Sequence, residues 1–240
     1  MRRFIFAGFL LLGCSTPEPK APLPSRVLGG VEVDGATLAR GERGYRTVCA
    51  SCHGLAGDGN GRLGVRQEPK PRSFAEGIVK FSSVRAGELW RDEDVMWTLK
   101  NGLLGTQMLA VKLRDDDLMA IVQYIKTFSP RWQTEKPGEV VPVPATPAPP
   151  PSAVDGASLY AGRCASCHDH RKSVSTVWGA PSVSPDLRKE APKAGSEPAR
   201  LYRRLAAGIG GIEDHGPLAG VLTEEQLWAL VYYVRGLSSR

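Results

Sequence analysis

Two identical pentapeptides hold most of the chemistry-bearing side chains: Cys49-Ala-Ser-Cys52-His53 and Cys164-Ala-Ser-Cys167-His168. Two thiols three positions apart, at a turn entering a helix, can each add to one vinyl group of a porphyrin. The histidine that follows then aims its imidazole at the iron. This is the attachment signature of c-type haem. A redox dithiol and a zinc site are the competing readings of such cysteine pairs. Either could explain one copy. Two copies, each with its own adjacent histidine, favour two covalently bound haem c groups.

Each iron then needs a partner on its other face. Of the three internal methionines, Met96 and Met119 fall inside helical patterns beside apolar faces, where packing explains them. Met108 lies in the loop GLLGTQMLAVK, which can deliver a thioether opposite His53 without disturbing a helix. The second half has no methionine, and its corresponding loop, GIGGIEDHGPLAG, carries His215. Aligning Gly102 with Gly208 and Gly105 with Gly211 sets Met108 opposite Asp214, one position before His215. The second loop is longer at its end, so a one-place shift fits. Aspartate is a poor ligand for this iron and imidazole a good one, so His168 and His215 are the expected ligands of the second haem. A loop histidine beside a five-coordinate or water-ligated iron is the alternative. His170 is a poorer candidate, tied to the proximal side two residues beyond His168. A histidine–methionine haem should sit at higher potential than a bis-histidine one, giving two redox steps, the lower in the second half.

The elements that must position these residues repeat. Each half starts with a short helix carrying an aromatic four positions before the first cysteine, Tyr45 or Tyr160. Each has a middle helix stopped by glycine, EDVMWTLKNG ending at Gly102 and RLYRRLAAG ending at Gly208. Each ends in a helix with an acidic start: Asp115-Asp116-Asp117 before Leu118, Ile121, Val122 and Ile125, and Glu224-Glu225 before Leu227, Leu230, Val231 and Val234. No run alternates convincingly as a strand. The expected fold is all-α: two small helical domains, residues 35–131 and 154–240. Between them lies a proline-rich linker, residues 132–153. Seven prolines lie within 134–153, so an extended spacer without fixed packing between the halves is expected.

The N-terminus reads as an export signal. Arg2 and Arg3 precede an apolar run from Phe4 to Leu12, far shorter than the roughly 20 residues that span a bilayer. Leu11-Leu12-Gly13-Cys14 resembles a bacterial lipobox. Residues 1–13 would be removed, Cys14 lipidated, and residues 14–34, with Pro17, Pro19, Pro22 and Pro24, left as a flexible tether. The expected location is periplasmic and membrane-anchored. The net charge of +6 is scattered among acids, with no basic block or aromatic ladder, so nucleic-acid binding is not expected.

With these residues in place, the chain resembles the class I cytochrome c family, in its tandem dihaem form. The resemblance runs through CASCHGLAGDGNG, KPRSFAEGIVKF, GLLGTQM and LRDDDLMAIVQYIKTFSPRW, and is weaker over residues 169–200. It implies that Met108 is the distal ligand and that the Gly54–Gly61 loop turns around the haem edge. The function expected from it is electron transfer between redox proteins of a respiratory chain, outside the cytoplasmic membrane. A dihaem peroxidase, or a haem subunit of a larger oxidase or dehydrogenase, is the alternative. No Ser/His/Asp set, Walker loop or paired carboxylate points to another catalytic centre.

Overall fold

The computed structural model describes residues 23–147 and 155–237; Cys14 and the export signal lie outside the described residues. Among the described residues, no helix is long and apolar enough to cross a membrane. The architecture is helical, two lobes with two short antiparallel hairpins added.

In the first lobe, α1 (Gly35–Val48) starts at Asp34, whose carboxylate accepts from the Thr37 amide at 2.8 Å, satisfying an otherwise orphan donor. A break at Cys49 leads to α2 (Ala50–His53). Helix α3 (Asp92–Asn101) and helix α4 (Asp115–Lys126) both carry three acidic residues in the first turn and lysine in the last, as the helix dipole favours. Leu118, Ile121, Val122 and Ile125 of α4 are buried against Leu38 and Tyr45 of α1 and Val95 and Leu99 of α3. The crossing of α1 and α4 depends on Gly41: a Cβ there would lie 2.0 Å from the Ala120 carbonyl oxygen.

The second lobe repeats the plan with α6 (Gly156–Arg163), α7 (Ala165–His168), α8 (Pro198–Ala207) and α9 (Glu224–Leu237). Thr223 and Gln226 form a reciprocal capping pair ahead of α9. Tyr160, Leu201, Tyr202, Leu227, Trp228 and Leu230 fill the core. Where α6 crosses α9, Gly156 takes the place of Gly41: its Cβ would sit 2.5 Å from the Ala229 carbonyl oxygen. The stretch of weak resemblance, residues 169–200, holds the paired strands β3 (Ser173–Val174) and β4 (Ser182–Val183) and ends as α8 begins.

Two sequence expectations are corrected. The tether does not reach residue 34 as loose chain: β1 (Arg26–Leu28) pairs with β2 (Val31–Val33), burying Leu28 and Val33. That hairpin is held to the buried Trp132 of α5 (Arg131–Thr134) by a bond from the Gly29 amide to the Trp132 carbonyl. The first lobe therefore runs past residue 131. The proline-rich segment is also not a free spacer where it is described. The Gly138 amide donates to Leu89 O, the Val141 amide to Ser83 O, and Tyr232 Oη to Pro147 O. Proline's missing donors do not prevent docking, because Gly138 and Val141 supply donors between the prolines. The lobes also meet directly, through Ala86 N to Ala207 O, Leu104 N to Lys193 O and Gly210 N to Lys80 O.

Candidate functional site

Each CASCH segment is built alike. The Cys49 amide bonds to Tyr45 O and the Cys164 amide to Tyr160 O, both at 2.8 Å, closing the preceding helix. The tyrosine hydroxyl returns to the residue after the histidine, Tyr45 to Gly54 O and Tyr160 to the Asp169 carboxylate. All four thiols are free of disulfides. Burial pushes the Cys49 thiol up to about 12 and raises Cys164 as well.

His53 Nδ1 lies 3.0 Å from the Arg72 carbonyl, and His168 Nδ1 lies 2.9 Å from the Pro185 carbonyl. A carbonyl can only accept, so Nδ1 carries the proton and Nε2 keeps a free lone pair for a metal. Burial lowers the pKa of His53 and so favours the neutral, ligating form. Neither carbonyl partner was foreseen. The signal available was weak: in each half a carbonyl residue is followed two places on by an inward residue, Phe74 or Leu187.

A cavity of about 460 Å³ is lined by Cys49, Cys52 and His53 and also by Met108. Met96 and Met119 are not in that lining; both pack against the core. The walls are otherwise largely apolar, with Lys70, Arg72, Lys80, Lys112 and Lys193 among them and no aspartate or glutamate. An apolar body carrying negative charge fits such a space, and a porphyrin with two carboxylates is that kind of molecule.

The two distal loops share one hydrogen-bond frame. In the first lobe, Leu103 N bonds to Met108 O at 2.8 Å and Val111 N to Leu99 O at 2.7 Å. In the second, Ile209 N bonds to His215 O at 2.9 Å and Leu218 N to Leu205 O at 3.0 Å. A Cβ on Gly102 would strike the Met108 carbonyl, and one on Gly208 the His215 carbonyl. The loops thus superpose with His215, not Asp214, in the position of Met108. The extra residue lies between Ile209 and His215. Asp214 is exposed, as is His170.

His168 and His215 have ring centres 6.4 Å apart at an interplanar angle of 81°. An imidazole nitrogen sits about 2.0–2.1 Å from a metal such as zinc, and its ring centre roughly 1.1 Å beyond. Two imidazoles on opposite sides of one ion therefore have centres about 6.3 Å apart. The separation of the two rings is the one a metal between them would need. Burial pushes His215 down to about 4, which keeps it neutral.

Residues 38–129 match the Cytochrome c family, and residues 151–234 match the family described as cytochrome C oxidase, cbb3-type, subunit III. The chain belongs to the class I c-type cytochromes, in tandem form. The cytochrome is similar to a chain of the Kuenenia stuttgartiensis reducing HAO-like protein complex, with 27% identity, a TM-score of 0.76, and coverage of 82% of this chain and 95% of that one. No curated protein matches. Membership implies covalently bound haem c and electron transfer as the function.

Proposed function

We propose that this cytochrome carries two haem c groups, bonded through Cys49 and Cys52 in the first lobe and Cys164 and Cys167 in the second. It relays electrons between respiratory redox proteins outside the cytoplasmic membrane, moored there by a lipid on Cys14. His53 and Met108 hold the first iron, and His168 and His215 the second. When bound, each haem supplies a one-electron ferric/ferrous couple. The protein sets the difference between them. The Met108 thioether favours the ferrous state, while the second imidazole favours the ferric state, within the roughly 0.8 V range that axial ligands command. The Arg72 and Pro185 carbonyls fix the proximal imidazoles so that little reorganisation accompanies a change of charge.

One observation carries the ligand assignment: the shared frame that sets the His215 backbone where Met108 stands, with its ring 6.4 Å from His168. A redox titration followed by optical spectrum should give two separated one-electron steps. In His215→Ala the lower step should move and its low-spin signature should weaken. An unchanged lower step and spectrum in that variant removes His215 as a ligand.

The resemblance to a chain of a redox complex also favours a lobe-docked subunit over a freely diffusing carrier. Co-purification of the intact lipoprotein with a second redox protein supports the subunit reading; recovery of the cytochrome alone from gently solubilised membranes supports the free carrier.

A further inference from the structure

The cations around the first cavity do not belong to one lobe. Lys80, from the first lobe, lines the cavity and reaches across to Ser182 Oγ of the second at 3.0 Å. The Arg72 guanidinium, also lining the cavity, lies 4.4 Å from the ring centre of Trp178 in the second lobe. Lys193 lines the same cavity and comes from the second lobe outright. Its carbonyl accepts from Leu104 N, four residues before Met108 in the first distal loop.

None of the three cations forms an ion pair with a described carboxylate. Glu68 is the acid whose charge reaches Arg72 and Lys80; burial outweighs it at Arg72, and burial, Arg72 and Lys193 outweigh it at Lys80. Burial, followed by the charges of Arg72 and Lys193, pushes the Lys80 ammonium down to about 7. Three like charges gathered at a half-buried seam repel one another unless an anion sits among them. Among the described residues no carboxylate lies within ion-pair distance of any of the three.

We propose that Lys193 of the second lobe, with Lys80 and Arg72 of the first, forms a carboxylate-binding site for the first haem, so that the lobe interface and the first cofactor site are one structure. This rests on the reading that the first lobe binds haem. The second lobe then acts on the first haem in two ways. Lys193 places positive charge beside it, which favours the ferrous state. The Lys193 backbone also holds the loop that carries Met108. The arrangement is reciprocated on the other side: the Lys80 carbonyl accepts from Gly210 N in the loop that carries His215, and a Cβ at Gly210 would meet the Val79 carbonyl at 2.2 Å. Each distal loop is therefore braced by the opposite lobe.

The test uses full-length holoprotein with Lys193→Gln and Lys193→Arg, the latter keeping the charge. No contact of the Lys193 side chain with another protein group is needed for folding on this account, and its backbone bond survives both changes. Spectroelectrochemistry should show the higher step displaced downward in Lys193→Gln, restored toward the parent in Lys193→Arg, with the lower step unmoved. Resonance Raman should show the haem carboxylate bending mode shifted in the glutamine variant alone. A higher step and carboxylate mode that stay put in both Lys193→Gln and Lys80→Gln/Lys193→Gln overturn the assignment. Mass spectrometry separates this from failure of the underlying reading, which would appear as a first lobe without a haem adduct.

Discussion

The two helix crossings provide a test in which the structure sets both the direction and the ranking. Gly41→Ala puts a methyl 2.0 Å from the Ala120 carbonyl oxygen and 2.7 Å from Tyr124 Cβ. Ordinary contact begins at 3.4 Å, so α1 and α4 must part by roughly 1.4 Å at that point. The obstacle is backbone and cannot rotate away. Parting opens a seam beside Leu38, Leu118 and Ile121, and a gap of 0.5–1 Å already forfeits about a quarter to a half of each contact's dispersion energy. Overpacking of this kind costs about 1–3 kcal/mol or more. Against it stands the better helix propensity of alanine, up to about 1 kcal/mol. The clash wins, leaving a net loss of about 2 kcal/mol. For a lobe of this size that corresponds to a melting temperature lower by roughly 8–16 °C. Gly156→Ala meets the Ala229 carbonyl oxygen at 2.5 Å, a smaller intrusion, and its net loss should be about 1 kcal/mol or less. Thermal unfolding of the holoproteins, followed by far-UV circular dichroism and by haem absorbance, gives both values. A Gly41→Ala protein that melts at or above the parent temperature refutes the close-crossing argument, and so does a larger effect at Gly156 than at Gly41.

Other variants address the remaining parts. Asp92→Asn should cost about 3 kcal/mol in denaturant unfolding, because Lys126, only 6% exposed at its side chain, would lose the carboxylate 2.6 Å away and keep only neutral partners, the Gln123 side-chain carbonyl and the faces of Trp90 and Trp132. Leu28→Ala should cost about 2–4 kcal/mol through the cavity it leaves beneath the N-terminal hairpin, whereas Val31→Ala, on a residue 64% exposed, should be nearly neutral in the same assay. Replacing Cys49 and Cys52 together by serine should lower the mass of the mature protein by one haem and erase the higher redox step, with the lower step retained; loss of both haems would contradict independent attachment in the two lobes.

The parts of this molecule that were legible in its sequence are those written in local patterns. The CASCH pentapeptides, the acidic helix starts and the glycines that end α3 and α8 each act within a few residues, and each element formed where its pattern lay. The hairpin at residues 26–33 was not legible. Its strands are three residues long, Val27 and Val31 face solvent, and what holds it is a bond from Gly29 to Trp132, a hundred positions along the chain. The glycines at the helix crossings had a signal, since Gly41 and Gly156 each stand four places before the repeated tyrosine, but a lone glycine in a helix reads first as a weak point. The His215 register turned on which glycines are matched. Residue identity placed Asp214 opposite Met108, while the backbone bonds, which respond to loop closure and not to side-chain type, placed His215 there.

The lobe interface was hidden for a more general reason. Lysines and arginines in a loop look like solvated surface, because their burial is costly unless something answers their charge. Where the answering group is a cofactor and not a residue, the chain alone shows only half of the pair. Lys80, Arg72 and Lys193 are scattered through the sequence with no common motif. They become a set only when the fold gathers them around one cavity whose lining holds no acid. The proline-rich segment misled for a related reason: its composition describes how the chain behaves when free, whereas Gly138 and Val141 dock it on both lobes. A tandem in which each lobe braces the other's loop, at Lys193 and at Lys80, therefore has reason to keep its linker short of freedom, since on the proposed ligation separating the lobes would slacken the segments that carry Met108 and His215 at once.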